Sequence, residues 1–396
     1  MDKPVIKPIH PFPARMAPEI AFHVLKDIKK GSTILDPMAG SGTVLRTISE
    51  LGFTGIGFDI DPLAVLMSKA WTTKVYQKNF IRKAEQVVRE AQELQAKSIR
   101  LSWIDEDKPT KEFINFWFGQ KQIRQLRKLS YLINKEKGVY ACLLKIALSR
   151  LIITKKNGAS LAADVSHSRP HKVMNKNNFD VMSGFILSCS RIAKILAEKQ
   201  PKGKVNIKLG DARRLTGVRD NSIDFIITSP PYLNALDYLR GHKLSLVWLG
   251  HTIGQLSSIR GDSVGAEKAP DSMDKVDLAK SITKKLQGFH RLPSKEVNMI
   301  YRYALDMYDL MKESFRVLKK GSNATFVVGN SSIKGIHIKN TTIVMEAARK
   351  FGFQVTSRRQ RVIPDSRRYL PPPNKAGKSI LSRRMRTETV ITFIKN

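Results

Sequence analysis

A glycine-containing turn lies near the start of the chain, between a short apolar stretch and a helical stretch. It has the sequence Asp36-Pro37-Met38-Ala39-Gly40-Ser41-Gly42-Thr43 and follows Thr33-Ile34-Leu35. Gly40 and Gly42 would let a ligand approach the backbone closely, and the N–H groups at the start of the next helix can bind a carboxylate or phosphate. No Lys follows Gly42, so the turn is not a P-loop.

Asp59 ends the next strand-like stretch, 54–60. An acidic residue in this position typically accepts hydrogen bonds from the two hydroxyls of a ribose. The spacing from Gly42 and Gly40 to Asp59 is 17 and 19 residues, as adenosine recognition requires. The alternative to a ligand site is a turn that merely connects a strand to a helix. The presence of Asp59 at the expected spacing favours the ligand site.

The second group is Thr228-Ser229-Pro230-Pro231-Tyr232, directly after the apolar stretch 222–227. Two consecutive prolines exclude a helix and end sheet pairing, so a rigid loop is expected. The loop brings the Ser229 hydroxyl, the Pro230 carbonyl and the Tyr232 ring into one small volume. An exocyclic amine of a nucleobase needs hydrogen-bond acceptors and a stacking ring, which these groups supply. Pro-Pro-Tyr also occurs in linkers, but the preceding strand favours a site.

The elements that must hold these residues alternate between strands and helices. Residues 1–72 have the order strand, glycine turn, helix and strand of a Rossmann-type unit, and strand-like segments follow at 204–212, 222–232, 324–330, 353–362 and 387–395. This alternation predicts an α/β fold with a mostly parallel, doubly wound sheet.

Two segments fall outside that alternation. Residues 73–203 have apolar residues at helical spacing and, over 73–200, 25 basic and 11 acidic side chains, which predicts a basic helical insertion. Residues 250–295 have few helix or strand signals and are too long for a simple connection, which favours a functional loop.

The composition indicates a polyanionic partner. Lys and Arg number 69 against 34 Asp and Glu in 396 residues, a formal charge of +35, which favours nucleic acid over a membrane surface. A hydrophobic content of 42% excludes global disorder. Two cysteines exclude a disulfide scaffold and a four-cysteine zinc site, and no metal is expected. No secretory signal or long apolar run is visible, so a soluble, cytoplasmic protein is expected.

The two motifs together resemble the S-adenosylmethionine-dependent amino-methyltransferases of DNA, which methylate exocyclic nitrogens. The Ser-Pro-Pro-Tyr form at 229–232 is similar to the cytosine-N4 group, whereas the adenine-N6 group more often has Asp or Asn first. Residues 10–15 and 238–250 also resemble family segments. The resemblance covers 1–72 and 204–396 and implies a Rossmann-like class I methyltransferase fold with a large helical insertion.

The resemblance also implies the cofactor, S-adenosyl-L-methionine, and the residues that bind it. Asp36, Gly40 and Gly42 would line its methionine part, Asp59 would bind the ribose and Asp211 would lie near the adenine. The remaining residues that the resemblance places at the cofactor are Phe12 and Pro13, as walls of the pocket, and Pro37 and Thr43 in the turn.

The catalytic residues implied by the resemblance are Ser229, Pro230, Pro231 and Tyr232. Ser229 and the carbonyl of Pro230 would hold the target amine, and Tyr232 would stack on a base flipped out of duplex DNA. The methyl group would move directly and in line, with no strong base. A cytosine-C5 enzyme would need a nucleophilic cysteine instead, and Cys142 and Cys189 fall in helical patterns that are typical of buried packing residues.

These expectations divide the chain into a cofactor half (1–72), a DNA-recognition insertion (73–203) and a catalytic half with a basic tail (204–396). The tail arginines predicted to contact phosphates are Arg367, Arg368, Arg383 and Arg384.

A restriction-modification system with a cognate endonuclease is the setting that the resemblance implies. Alternatives are an adenine-N6 DNA methyltransferase, an RNA guanine-N2 methyltransferase and a DNA-binding regulator without activity. His10 and His242 are interpreted as structural or surface residues.

Overall fold

A computed structural model describes residues 6–12, 15–154, 157–163, 170–233, 237–265, 272–364 and 387–396. Its strands, in chain order, are β1 Thr33–Asp36, β2 Thr54–Asp59, β3 Ala162–Ala163, β4 His171–Lys172, β5 Val205–Leu209, β6 Ile223–Thr228, β7 Leu318–Gly329, β8 Ser331–Ile333, β9 Ile336–Ile338, β10 Gln354–Val362 and β11 Thr387–Ile394. Its helices are α1 Pro18–Leu25, α2 Thr43–Glu50, α3 Pro62–Trp71, α4 Gln77–Glu93, α5 Ser102–Asp105, α6 Lys108–Trp117, α7 Gln120–Lys135, α8 Ala141–Ile152, α9 Val181–Glu198, α10 Tyr238–Leu246, α11 Ile253–Asp262, α12 Met273–Thr283, α13 Ser294–Val317 and α14 Asn340–Arg349.

Within the described residues, seven strands form the central sheet in the order β10-β11-β7-β6-β1-β2-β5. Strands β5, β2, β1, β6 and β7 pair in parallel, whereas β11 is antiparallel to both β7 and β10. The chain has the α/β fold with a mostly parallel, Rossmann-like sheet that the sequence predicts. The direction of β11 was not anticipated, because an apolar strand pattern carries no information about the direction of its neighbours.

The central strands are apolar because helices cover both faces of the sheet. In β1 and β6, Ile34, Leu35, Ile226 and Ile227 have no exposed surface. Helix α3 begins where the Asp61 carboxylate accepts a hydrogen bond from the Leu63 amide and Pro62 takes the first helical position. The strand ends and helix starts therefore lie at the same edge of the sheet.

Residues 73–203 form helices that share a hydrophobic core with α3 and α10. The buried side chains that join them include Trp71, Phe80, Leu126, Leu144, Phe185 and Trp248. The predicted mainly helical character of this segment therefore agrees with the structure. Of the two cysteines interpreted as buried, Cys189 is fully buried and Cys142 is only partly so.

Residues 250–295 contain more regular structure than the sequence predicted. Helices α11 and α12 and the start of α13 fall in this segment. Within α11 only Leu256 is buried, so the helix lacks the apolar periodicity by which helices are recognised. The Thr252 and Gln255 side chains instead form a capping box at its start.

None of the helices in the part of the chain described by the structure is both long and apolar enough to cross a lipid bilayer.

Candidate active site

The carboxyl ends of β1, β2, β5 and β6 meet at one edge of the sheet because these strands run in parallel. Asp36 ends β1, Asp59 ends β2 and Ser229 follows β6. The Thr228 hydroxyl donates to Asp36 Oδ1 over 2.8 Å, which ties the Pro-Pro loop to the glycine turn. The structure thus brings together two motifs whose joined residues, Asp36 and Thr228, are 192 positions apart in the sequence.

The glycine turn is held against β2 by backbone hydrogen bonds. The Gly40 amide donates to Asp59 Oδ2 over 2.7 Å, and the Ala39 amide donates to the Phe58 carbonyl over 2.8 Å. The Asp61 amide donates to Asp59 Oδ1 over 2.9 Å. Each oxygen of Asp59 therefore accepts one backbone hydrogen bond and retains capacity for another donor.

Gly42 has no room for a side chain. Its φ is +84°, and a Cβ atom there would lie 2.7 Å from Ser68 Oγ and 2.8 Å from Ser68 Cα in α3. Gly42 also directly precedes α2, so its close contact with Ser68 places the start of α2 against α3. The sequence predicted that Gly42 allows a ligand to approach the backbone, whereas the close neighbour in the structure is Ser68.

We expect Gly42→Ala to lower the free energy of unfolding by about 2–3 kcal/mol, because positive φ and a backbone clash add together. Urea denaturation measures the change. Gly31→Ala is a matched control: its φ is +85° and nothing lies within 4 Å of its Cβ position. The control should lose only about 1 kcal/mol. Equal losses for the two variants would show that contact with Ser68 is unimportant.

Two carboxyl groups, the buried Asp36 and the partly buried Asp59, lie at the site and can attract positive charge when they are ionised. Burial raises the pKa of Asp36 to about 7, although hydrogen bonds from Thr228 and Met38 oppose the shift. Burial and, after it, the charge of Asp61 raise the pKa of Asp59 to about 6. A cation bound beside these groups would favour their ionised forms.

Phe12 closes one side of the glycine turn. Its ring atoms lie 3.6 Å from the position of a Cβ on Gly40, and the ring stacks on Tyr238 with centroids 4.8 Å apart. The predicted neighbour Pro13 lies outside the described residues. Pro37 and Thr43 are both buried in the turn, where the Thr43 and Ser41 hydroxyls are 3.0 Å apart.

Asp211 lies beside Asp59 because the Gly210 amide donates to the Asp59 carbonyl over 2.9 Å. Its carboxylate is already paired with Arg213, with a shortest distance of 2.7 Å, and Arg213 also donates to Asp306 in α13 over 2.6 Å. Burial alone would raise the pKa of Asp211, but the hydrogen bonds and charge of Arg213 outweigh it and lower that pKa. Asp211 therefore stays ionised. Arg213 is not among the residues predicted from the sequence, although its position two residues after Asp211 could have indicated the pair.

The Ser229 hydroxyl donates to the Val327 carbonyl over 3.1 Å. Because its proton is used in that bond, the oxygen presents lone pairs that can accept hydrogen bonds from a ligand. Pro230 is buried and Pro231 is partly buried, as expected for a rigid loop against the sheet. This geometry suits a donor such as an amine.

Tyr232 contacts a charged pair that the sequence analysis missed. Its hydroxyl donates to Glu388 Oε2 in β11 over 3.4 Å, and Arg361 Nε in β10 lies 2.9 Å from Glu388 Oε1. Burial and then the charge of Glu388 raise the pKa of the Tyr232 hydroxyl, which therefore stays protonated at neutral pH. The sequence feature that could have revealed this pair is Glu388 itself, the single acidic residue within β11.

The two histidines that the sequence predicted to be structural or surface residues, His10 and His242, are both buried. His10 Nε2 lies 2.8 Å from Ser149 Oγ, and burial lowers the pKa of His10 to about 3, which keeps it neutral. His242 Nδ1 lies 2.5 Å from Asp61 Oδ2. The four predicted phosphate-binding arginines, Arg367, Arg368, Arg383 and Arg384, lie outside the described residues.

Sequence comparison finds Type II methyltransferases, whereas no family model matches the chain. M.MvaI of Kocuria varians is 25% identical over 422 residues, covering 98% of this chain and 90% of the relative. M.AvaI of Nostoc sp. is 26% identical over 383 residues, covering 83% of this chain and 74% of the relative. M.BsoBI of Geobacillus stearothermophilus is 26% identical over 258 residues, covering 56% of this chain and 48% of the relative. The chain thus combines a mostly parallel, Rossmann-like α/β fold with similarity, along almost its full length, to a Type II methyltransferase.

Proposed function

We propose that this protein is an S-adenosylmethionine-dependent DNA methyltransferase that methylates the exocyclic N4 amine of cytosine in a specific duplex sequence. The observation that carries the proposal is the Ser229-to-Tyr232 loop, which the Thr228–Asp36 hydrogen bond joins to the glycine turn. Similarity to Type II methyltransferases supports a DNA substrate, and the charge of +35 suits a polyanion.

The residues at the sheet edge fit the proposed cofactor. S-adenosylmethionine supplies a methyl group on a positively charged sulfur, which makes the methyl carbon reactive. Asp36 and Asp59 provide the negative charge that suits a cation, and Asp59 has acceptor capacity for ribose hydroxyls. Asp211, kept ionised by Arg213, can accept a hydrogen bond from the adenine amine. Phe12 supplies an apolar wall next to the turn.

The Pro-Pro loop fits an aromatic amine. Ser229 Oγ and the Pro230 carbonyl would each accept one amine proton, which favours the pyramidal form of the nitrogen that attacks the methyl carbon. The Tyr232 ring would stack on the base, which must first leave the duplex. No strong base is required, because the amine proton becomes acidic once the methyl group is attached and can leave to solvent.

We expect S-adenosylmethionine to bind more weakly as the pH is lowered below about 7. The affinity should fall by up to tenfold per pH unit for each carboxyl group that must lose its proton before the cofactor binds. The reason is that Asp36 and Asp59, whose pKa values are raised to about 7 and about 6, are partly protonated in the free protein. Calorimetry between about pH 5.5 and 7.5 measures the slope.

Asp36→Asn is the control for the pH dependence, since an amide oxygen can still accept the Thr228 hydrogen bond. This variant should show a shallower slope. A dissociation constant that stays constant over the whole range in the unmodified protein would contradict the prediction.

We expect the affinity for duplex DNA to fall steeply with salt, on the order of a thousandfold between about 50 and 200 mM, if six or more phosphates are neutralised. Fluorescence anisotropy with a labelled duplex measures this dependence. A flat salt dependence would mean that the basic surface takes no part in binding.

Recognition of the DNA sequence is assigned to the insertion 73–203, to the segment 250–295, or to both. Arg367, Arg368, Arg383 and Arg384 are proposed as phosphate contacts. A cognate restriction endonuclease is the proposed biological partner, in keeping with the Type II methyltransferases to which the chain is similar.

Nucleoside mass spectrometry of DNA from a methylation-free host that expresses this chain tests the proposed function. N4-methylcytosine is the expected product. N6-methyladenine would leave the fold and cofactor assignments in place but overturn the assigned base. No modified DNA base, with S-adenosylmethionine still bound by the purified protein, would point to an RNA substrate.

A further inference from the structure

His242 lies on α10, the helix that follows the catalytic loop, yet its ring contacts the cofactor side of the site. Its Nδ1 is 2.5 Å from Asp61 Oδ2, and the two side chains are only 4% and 9% exposed. The two side chains therefore form a buried hydrogen bond. It joins residues that are 181 positions apart in the sequence.

Asp61 in turn holds Asp59. Its Oδ1 accepts from the Leu63 amide over 2.8 Å at the start of α3, and its own amide donates to Asp59 Oδ1 over 2.9 Å. The other oxygen of Asp59 accepts from the Gly40 amide over 2.7 Å. A continuous chain of hydrogen bonds therefore leads from His242 through Asp61 and Asp59 to the glycine turn.

A second contact links the face of α10 that carries His242 to the glycine turn. Tyr238 is one helical turn before His242, so the two side chains share a face of the helix. The Tyr238 ring stacks on Phe12 with centroids 4.8 Å apart, and Phe12 covers Gly40. The Phe12 and His242 rings are themselves 5.7 Å apart.

We propose that His242 is a positioning residue for the cofactor, which orients the Asp59 carboxylate toward the ribose by holding Asp61. This inference rests on the proposed function, because Asp59 meets a ribose only if S-adenosylmethionine is bound. Through His242, the helix that follows the catalytic loop also sets the geometry of the cofactor site.

The test compares the binding of S-adenosylmethionine by the unmodified protein with binding by His242→Asn and His242→Gln, using isothermal titration calorimetry. The Asn amide nitrogen can occupy the position of Nδ1 and donate to Asp61, whereas the longer Gln side chain places its amide near Nε2. We expect the dissociation constant to rise about threefold or less for His242→Asn and at least about tenfold for His242→Gln.

One further ligand and one further variant separate positioning from a loss of packing. 5′-Methylthioadenosine keeps the ribose but lacks the amino acid part of the cofactor, so it should show the same ratio between the two variants. Ser245→Ala removes a buried hydroxyl of α10 that bonds to Ser149 Oγ at 2.9 Å and does not touch Asp61. This control should bind both ligands as the unmodified protein does.

The outcomes are distinguishable. Equal affinities for His242→Asn and His242→Gln, with the unmodified protein binding well, would overturn the positioning role alone. Failure of the unmodified protein to bind S-adenosylmethionine would overturn the proposed function itself. If His242→Gln does not fold, Asp61→Asn takes its place, because it keeps the cap of α3 and removes the charged partner of His242. Undiminished binding by Asp61→Asn would then overturn the inference.

Discussion

Replacement of Tyr232 by Ala should lower the turnover number about a hundredfold or more while leaving the dissociation constant for S-adenosylmethionine within about threefold. The ring follows the Pro-Pro loop and is the group proposed to stack on the target base. Without it, the amine would no longer be held in line with the methyl group. Single-turnover methylation of duplex DNA and calorimetry of cofactor binding measure the two quantities separately.

Tyr232→Phe is the matched control, because it removes only the hydroxyl and its 3.4 Å hydrogen bond to Glu388. A bond of this length contributes little, so turnover should fall by about fivefold at most. A Tyr232→Ala variant that loses cofactor affinity and turnover to the same extent would contradict the role assigned to the ring.

Replacement of Asp59 by Ala should raise the dissociation constant for S-adenosylmethionine on the order of a hundredfold. The variant loses the proposed ribose contacts and also leaves the Gly40 and Asp61 amides without their acceptor. The turn that lines the site would then keep the hydrogen bond from the Ala39 amide to the Phe58 carbonyl but lose the one that the Gly40 amide donates to β2. Calorimetric titration of the purified variant measures the change.

Asp224→Ala supplies the control for Asp59. Asp224 also accepts a backbone hydrogen bond, from Thr33 over 2.8 Å, but it lies near the start of β6, at the opposite edge of the sheet. Its removal should leave cofactor affinity unchanged within about twofold. Unchanged affinity in Asp59→Ala as well would remove Asp59 from the site.

The features that the sequence predicted are those with a local physical cause. The apolar stretches of β1, β2 and β6 predicted a parallel sheet, and the turn at Gly40 and Gly42 predicted where its helix begins. Asp59 was identified by its spacing from those glycines. Both motifs were placed at the carboxyl ends of strands, and these ends share one edge in a parallel sheet, whereas the hydrogen bond between Thr228 and Asp36 was not predicted.

The features that the sequence did not predict depend on distant partners. Arg213, His242 and Glu388 each act through a contact with another element, and no local pattern specifies that partner. Helix α11 was missed because it buries one side chain, and its capping box is formed by two polar residues that also occur in loops. The direction of β11 likewise depends on how the chain returns to β7.

The most direct measurement of the central claim uses the purified protein, S-adenosylmethionine with a deuterated methyl group, and unmethylated genomic DNA. Mass spectrometry of the digested DNA should find the deuterated methyl group on N4 of cytosine, and the Tyr232→Ala variant should produce about a hundredfold less. Label on N6 of adenine, or no label in DNA at all, would contradict the account.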